Sequence, residues 1–132
     1  MAVDNSNIAN GAATVAGSVN IGYTAGTGGY VNVATCYITL KSAATVVIMA
    51  SWGCNYDSGF GNTNQQFFGQ IYGNTAPVGP VLHTGVATTQ TPSYMWSTTL
   101  PPGSYQAVFW WQGDNNHVQI LAGSMSVFAS QK

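Results

Sequence analysis

The stretch Leu100-Pro-Pro-Gly-Ser-Tyr-Gln-Ala-Val-Phe-Trp-Trp-Gln112 constrains the fold more than any other part of the chain. Pro101, Pro102 and Gly103 make a turn, because proline presets φ and removes a donor while glycine permits the reversal. The aromatic and branched residues that follow have the composition of a β-strand. Neighbouring side chains of a strand point to opposite faces. Tyr105, Ala107, Phe109 and Trp111 therefore share one face, and Gln106, Val108 and Trp110 the other. Each face carries a tryptophan. One of them can fill the domain's own core, but the other needs a second partner.

Other segments repeat this two-faced pattern. Tyr30–Leu40 reads as a strand with Cys36, Ile38 and Leu40 on one face and Val31, Val33 and Tyr37 on the other. Thr45–Trp52 is apolar on both faces, which predicts burial on both. Gln65–Tyr72 sets Phe67 and Phe68 on opposite faces, Val81–Ala87 reads as a weaker, edge-like strand, and Tyr94–Leu100 leads into the Pro-Pro turn. Gly113-Asp-Asn-Asn116 has the residues of a hairpin turn with positive φ. His117–Ala122 and Ser124–Ala129 form the last strand, with a bulge expected near Gly123. Residues 1–29 alternate small apolar residues with Gly, Asn and Ser, and read as an extended N-terminal arm with strand pieces near Thr14–Tyr23. Strands this short and regularly spaced, with no convincing helix, predict an all-β fold. The expected architecture is a jelly-roll β-sandwich of about eight antiparallel strands over residues 30–132.

Charge narrows the function. Ordinary soluble domains carry about 25% charged residues; this chain carries 4%, with Lys41 and Lys132 against Asp4, Asp57 and Asp114. Two distant lysines cannot build the basic patch that nucleic acids require, and anionic membranes are excluded for the same reason. No apolar run approaches the ~20 residues of a membrane span, and no secretory leader is read at the start. The apolar fraction is 45%, so the chain is not disordered. A nearly uncharged monomer has little electrostatic protection from self-association. A sandwich offers one inner face per sheet, so outward aromatics on a charge-poor surface predict a subunit or partner interface. The residues in its pool are Trp110, Trp111, Phe109, Phe67, Phe68 and Met49.

Catalysis needs a positioned acid, base or nucleophile. Three separated aspartates and two histidines, His83 and His117, supply no such motif, so no enzymatic activity and no cofactor are expected. Zinc needs three or four ligands, and the loop Asp57–Asn64 has a single carboxylate where Ca²⁺ would want several; no metal is expected. Tyr56, Asp57, Phe60, Tyr94 and Trp96, read as lying in or beside loops, could contact a ligand such as a sugar, or could plug the core or an interface. Cys36 and Cys54 read either as small buried hydrophobes or as a single bridge.

From Tyr30 onward, five segments together resemble the trimeric jelly rolls of the tumour-necrosis-factor and complement globular-head type, in the form common among bacteriophage virion proteins. They are Tyr37-Ile-Thr-Leu-Lys-Ser, Val46-Val-Ile-Met-Ala-Ser-Trp, Phe68-Gly-Gln-Ile-Tyr-Gly-Asn-Thr, Leu100 to Trp111, and Ala122-Gly-Ser-Met-Ser-Val-Phe. The resemblance implies a homotrimer whose strands pack on an apolar, aromatic threefold axis. It leaves out residues 1–29, and the family's lysine and arginine decoration is missing. Two functions follow as expectations. One is a capsid decoration or cement protein on a virion surface, clamping the major capsid protein. The other is the head of a tail fibre or spike that binds a host cell-surface receptor or glycan.

Overall fold

The computed structural model describes residues 2–4, 13–56, 65–72 and 91–131. Every regular element among them is a strand: β1 Ala2–Asp4, β2 Ala13–Ile21, β3 Thr24–Ala25, β4 Val31–Leu40, β5 Ala44–Tyr56, β6 Gln65–Tyr72, β7 Ser93–Leu100, β8 Gly103–Gly113 and β9 Val118–Gln131. They form two sheets, ordered β1-β4-β8-β6 and β2-β9-β5-β7, with β3 also pairing β9. Pairing is antiparallel except between β1 and β4. From β4 to β5 to β6, and from β7 to β8 to β9, each connection crosses to the opposite sheet. This is the path of a jelly-roll sandwich. The expected strand over Val81–Ala87 lies outside the described residues.

Alternation decides what is buried. On β8, Tyr105, Ala107, Phe109 and Trp111 all point inward, and on β5 so do Val46, Ile48, Ala50, Trp52 and Cys54. Each large apolar side chain buried this way contributes about 1.5–3 kcal/mol. At one end of the core, Gln65 of β6 joins the two sheets. Its Oε1 accepts hydrogen bonds from Nε1 of Trp52 at 3.1 Å and of Trp111 at 2.8 Å. The Gln65 side chain is fully buried, so removing it would leave two buried indole donors without their acceptor. Trp52, Phe67, Phe109 and Tyr94 fill the layer beside it in edge-on, tilted and stacked contacts, with centroids 4.7–6.1 Å apart. Gly69 leaves room for Trp96: a Cβ there would sit 2.4 Å from the indole ring. Cys36 and Cys54 are buried on opposite sheets and are not joined by a disulfide.

Several local expectations change once the strands pair. Part of the N-terminal stretch is sandwich, since β2 pairs β9 from Ala13 to Ile21. A register shift between Asn32 and Ala34 turns Val31 inward beside Trp111, and Val33 also packs on the core, so neither shares the outward face of Tyr37. On β5 the outward Met49 is exposed, so this strand is buried on its inner face alone. The bulge in β9 falls at Leu121, the extra residue between the pairs Gly53–Ala122 and Cys54–Ile120. The turn from Asp114 to His117 uses no positive φ. Instead the Asn115 side chain accepts from the backbone N–H of His117 at 2.8 Å, an Asx-type closure.

Candidate functional site

Among the described residues, two solvent-facing sheet surfaces are candidates for contact with another molecule. None of the residues of β2, β4, β5, β6, β7, β8 or β9 is charged. On the β4-β8-β6 face, pairing sets Asn32, Trp110 and Phe68 in one row and Thr35, Val108 and Gln70 in the next. Val108 points outward yet is almost fully buried, outside the main core cluster, so it forms an apolar floor beneath this layer. Trp110 and Phe68 lie with planes 20° apart and centroids at 6.3 Å. Tyr30, just before β4, reaches across β8 and meets Phe68 edge-on at 5.0 Å.

Amides hold these rings. Trp110 Nε1 donates to Gln70 Oε1 at 2.9 Å, and the Tyr30 hydroxyl donates to Gln66 Oε1 at 3.1 Å. Asn32 and Thr35 exchange side-chain hydrogen bonds at 2.8 and 3.1 Å across the bulge. The Gln112 amide donates to the carbonyl of Gly28, whose φ of +86° favours glycine. Burial among the rings pushes the Tyr30 phenol above its ordinary pKa. The result is a neutral layer of ring faces and positioned amides.

The β2-β9-β5-β7 face is different. Pairing aligns Ser18, Ser126, Met49 and Met95 in one row and Asn20, Ser124, Ser51 and Ser93 in the next. Val47 and Phe128 continue it, both half-buried. Met95 is 64% exposed and Met49 44%. Between them opens a shallow hollow of about 350 Å³, rimmed by Ser51, Ser93, Ser124 and Ser126. Around the hollow this face presents short hydroxyls and flexible thioethers.

The residues read as candidates for a trimer or partner interface divide three ways. Phe67, Phe109 and Trp111 are core and face no partner; Phe68 and Trp110 lie on one outer surface, and Met49 on the opposite one. Of the residues expected to contact a ligand, Tyr94 and Trp96 are inward members of β7, stacked on each other at 5.0 Å, and not loop residues. Their hydrophobic neighbours across the sheet override the loop reading. Asp57 and Phe60, and the side chain of Tyr56, lie outside the described residues. The sequence reading missed Tyr30, Gln66, Gln70 and Met95. The period-two patterns Gln66-Phe68-Gln70 and Ser93-Met95-Ser97 carried a signal for three of them. Tyr30 gave none, because its contact spans 36 residues. Among the described residues, no three His, Cys, Asp or Glu side chains gather as a metal site would require.

No family model matches this chain, and no curated protein does. A solved chain of the T13 IBDV viral particle has a similar fold, with a TM-score of 0.56 and 8% sequence identity. The likeness covers 90% of this chain and 31% of that one, so this chain spans about a third of its length. At that identity what is shared is the fold.

Proposed function

We propose that this chain is a structural protein of a virus particle, a capsid decoration or cement protein of a bacteriophage that assembles as a homotrimer. The observation that carries this reading is the uncharged β2-β9-β5-β7 surface, with Met49 and Met95 exposed in a field of small hydroxyls. Charge depletion together with exposed methionine is the composition of a protein interface core, and contiguous exposed apolar patches mark interaction sites. Self-association here covers the methionines. The jelly-roll fold shared with a viral-particle chain supports the same reading. The role is structural and not catalytic. The trimer sits on the capsid surface and clamps the major capsid protein by apolar and hydrogen-bond contacts, so its binding is insensitive to salt.

A second reading, the head of a tail fibre or spike, is favoured by the ring-and-amide surface around Trp110, which has the chemistry of a receptor or glycan contact. Density-gradient fractionation of particles from the source culture, probed with an antibody to this chain, tests both. Co-migration with intact heads supports a decoration protein, and recovery with detached tails supports the fibre head. A chain that stays at the top of the gradient, away from every particle, overturns the virion role.

A further inference from the structure

We infer that the Tyr30–Phe68–Trp110 surface of the first sheet is a binding site for a neutral oligosaccharide. The inference rests on side-chain chemistry at this surface and holds whether the chain decorates a shell or ends a fibre.

Three observations converge on it. First, rings and amides alternate at close quarters: Gln66, Phe68 and Gln70 along β6, and Gln106, Trp110 and Gln112 along β8. A pyranose ring has the matching alternation, with C–H faces that meet the negative face of an aromatic ring and hydroxyls at its edge that meet amides. An apolar protein knob seated here would strip water from those amides and leave them unpaired. Second, the amides are held in position. Gln70 and Gln66 each use Oε1 to accept from an aromatic donor, from Trp110 at 2.9 Å and Tyr30 at 3.1 Å. That leaves each NH₂ group as a donor beside the rings. A site whose rotamers are already restrained loses less entropy when a ligand arrives. Third, no residue of β4, β6 or β8 is charged. A sulfated, sialylated or phosphorylated glycan would find no cation to offset its desolvation, whereas an uncharged sugar needs none.

The opposite surface is equally uncharged but carries different side chains. At its hollow the apolar groups are the flexible Met49 and Met95, and the polar groups are the hydroxyls of Ser51, Ser93, Ser124 and Ser126.

The molecule carries its own reporter. Trp52, Trp96 and Trp111 are buried, and Trp110 is the one tryptophan of the four that is not. The full chain is first applied to an array of neutral oligosaccharides spanning α- and β-linked glucose, galactose, mannose and N-acetylglucosamine chains. A hit is then titrated by tryptophan fluorescence and by calorimetry. The expected result is a saturable change in emission, with an affinity that holds when salt is raised about tenfold. Trp110→Ala abolishes the calorimetric signal, and Gln70→Ala weakens binding about tenfold or more. Met95→Lys on the opposite surface leaves the per-site affinity read by calorimetry unchanged, even where it shifts the mass towards monomer. Melting curves establish that each variant is folded; if Trp110→Ala is not, Gln70→Ala alone decides. No hit on the neutral array overturns the inference, as does full-affinity binding in folded Gln70→Ala. Preference for sulfated over neutral chains also overturns it. If no sugar binds but Trp110→Ala prevents attachment to particles, the surface docks a protein and the inference fails.

Discussion

On the outward side of β8, Trp110 lies beside Phe68 and donates to Gln70; on the outward side of β5, Met49 lies between Met95 and Ser126. Both surfaces are antiparallel, uncharged and backed by the same core. They differ in how firmly their side chains are held. The first has Trp110 and Tyr30 held by hydrogen bonds to glutamine amides over the buried floor of Val108, whereas the second has unbranched methionines at a hollow. Rigid rings with fixed donors suit a ligand of defined stereochemistry. Methionine's flexible thioether suits a surface that adapts to a protein partner. A sandwich with two such surfaces can hold its own copies on one side while the other meets a different molecule.

The strongest way to break this comparison is to remove the core that separates the surfaces. Trp111→Ala deletes a fully buried indole and strands part of the Gln65 linkage, so unfolding free energy should fall by about 3–5 kcal/mol. Trp110→Ala should have a clearly smaller effect, because Trp110 is half-exposed. Denaturant titration of the two variants checks the order; equal losses would mean that both indoles are core.

The next test separates the surfaces from each other. Covering one methionine in a trimer contributes about 1.5–3 kcal/mol. Met49→Lys and Met95→Lys should therefore each raise the dissociation constant of the proposed trimer about tenfold or more. Light scattering over a concentration series should show mass shifting towards monomer in these variants and not in Trp110→Ala. The reverse pattern would place self-association on the ring-and-amide surface.

The smallest expected effect is alkaline. Burial raises the Cys36 thiol above its ordinary value of 9.0 and the Tyr94 and Tyr105 phenols above 10.0, with the Gly69 backbone drawing Tyr94 partly back. The folded state therefore keeps protons that the unfolded chain releases. That stabilisation is complete below about pH 9 and is lost as pH climbs through the raised folded values. Thermal melts from pH 8 upward should show the decline, and Tyr94→Phe should make it shallower. A slope unchanged in Tyr94→Phe would show that this core phenol is not part of it.

The sandwich was largely legible in advance because strand alternation is a local property of the backbone. A residue's parity within a strand can be counted, and Tyr105, Ala107, Phe109 and Trp111 share one side whatever pairs with them. The Pro-Pro-Gly turn and the two-faced Phe67–Phe68 and Trp110–Trp111 pairs were legible for the same reason. Near-absence of charge, also a property of sequence alone, limited the kinds of partner. Parity names two sides, however, and not which is inside. That choice fell to pairing between distant segments, which put Trp111 and Trp52 on Gln65 and left Trp110 outside. One inserted residue at the β4 bulge reversed Val31, since shifting a strand by one position exchanges its faces. The separation of Met49 from Phe68 and Trp110 likewise follows from strand order, which placed β5 in one sheet and β6 and β8 in the other. Local stereochemistry determined the strands and their two sides, and long-range pairing decided which sides became core and which became the two outer surfaces.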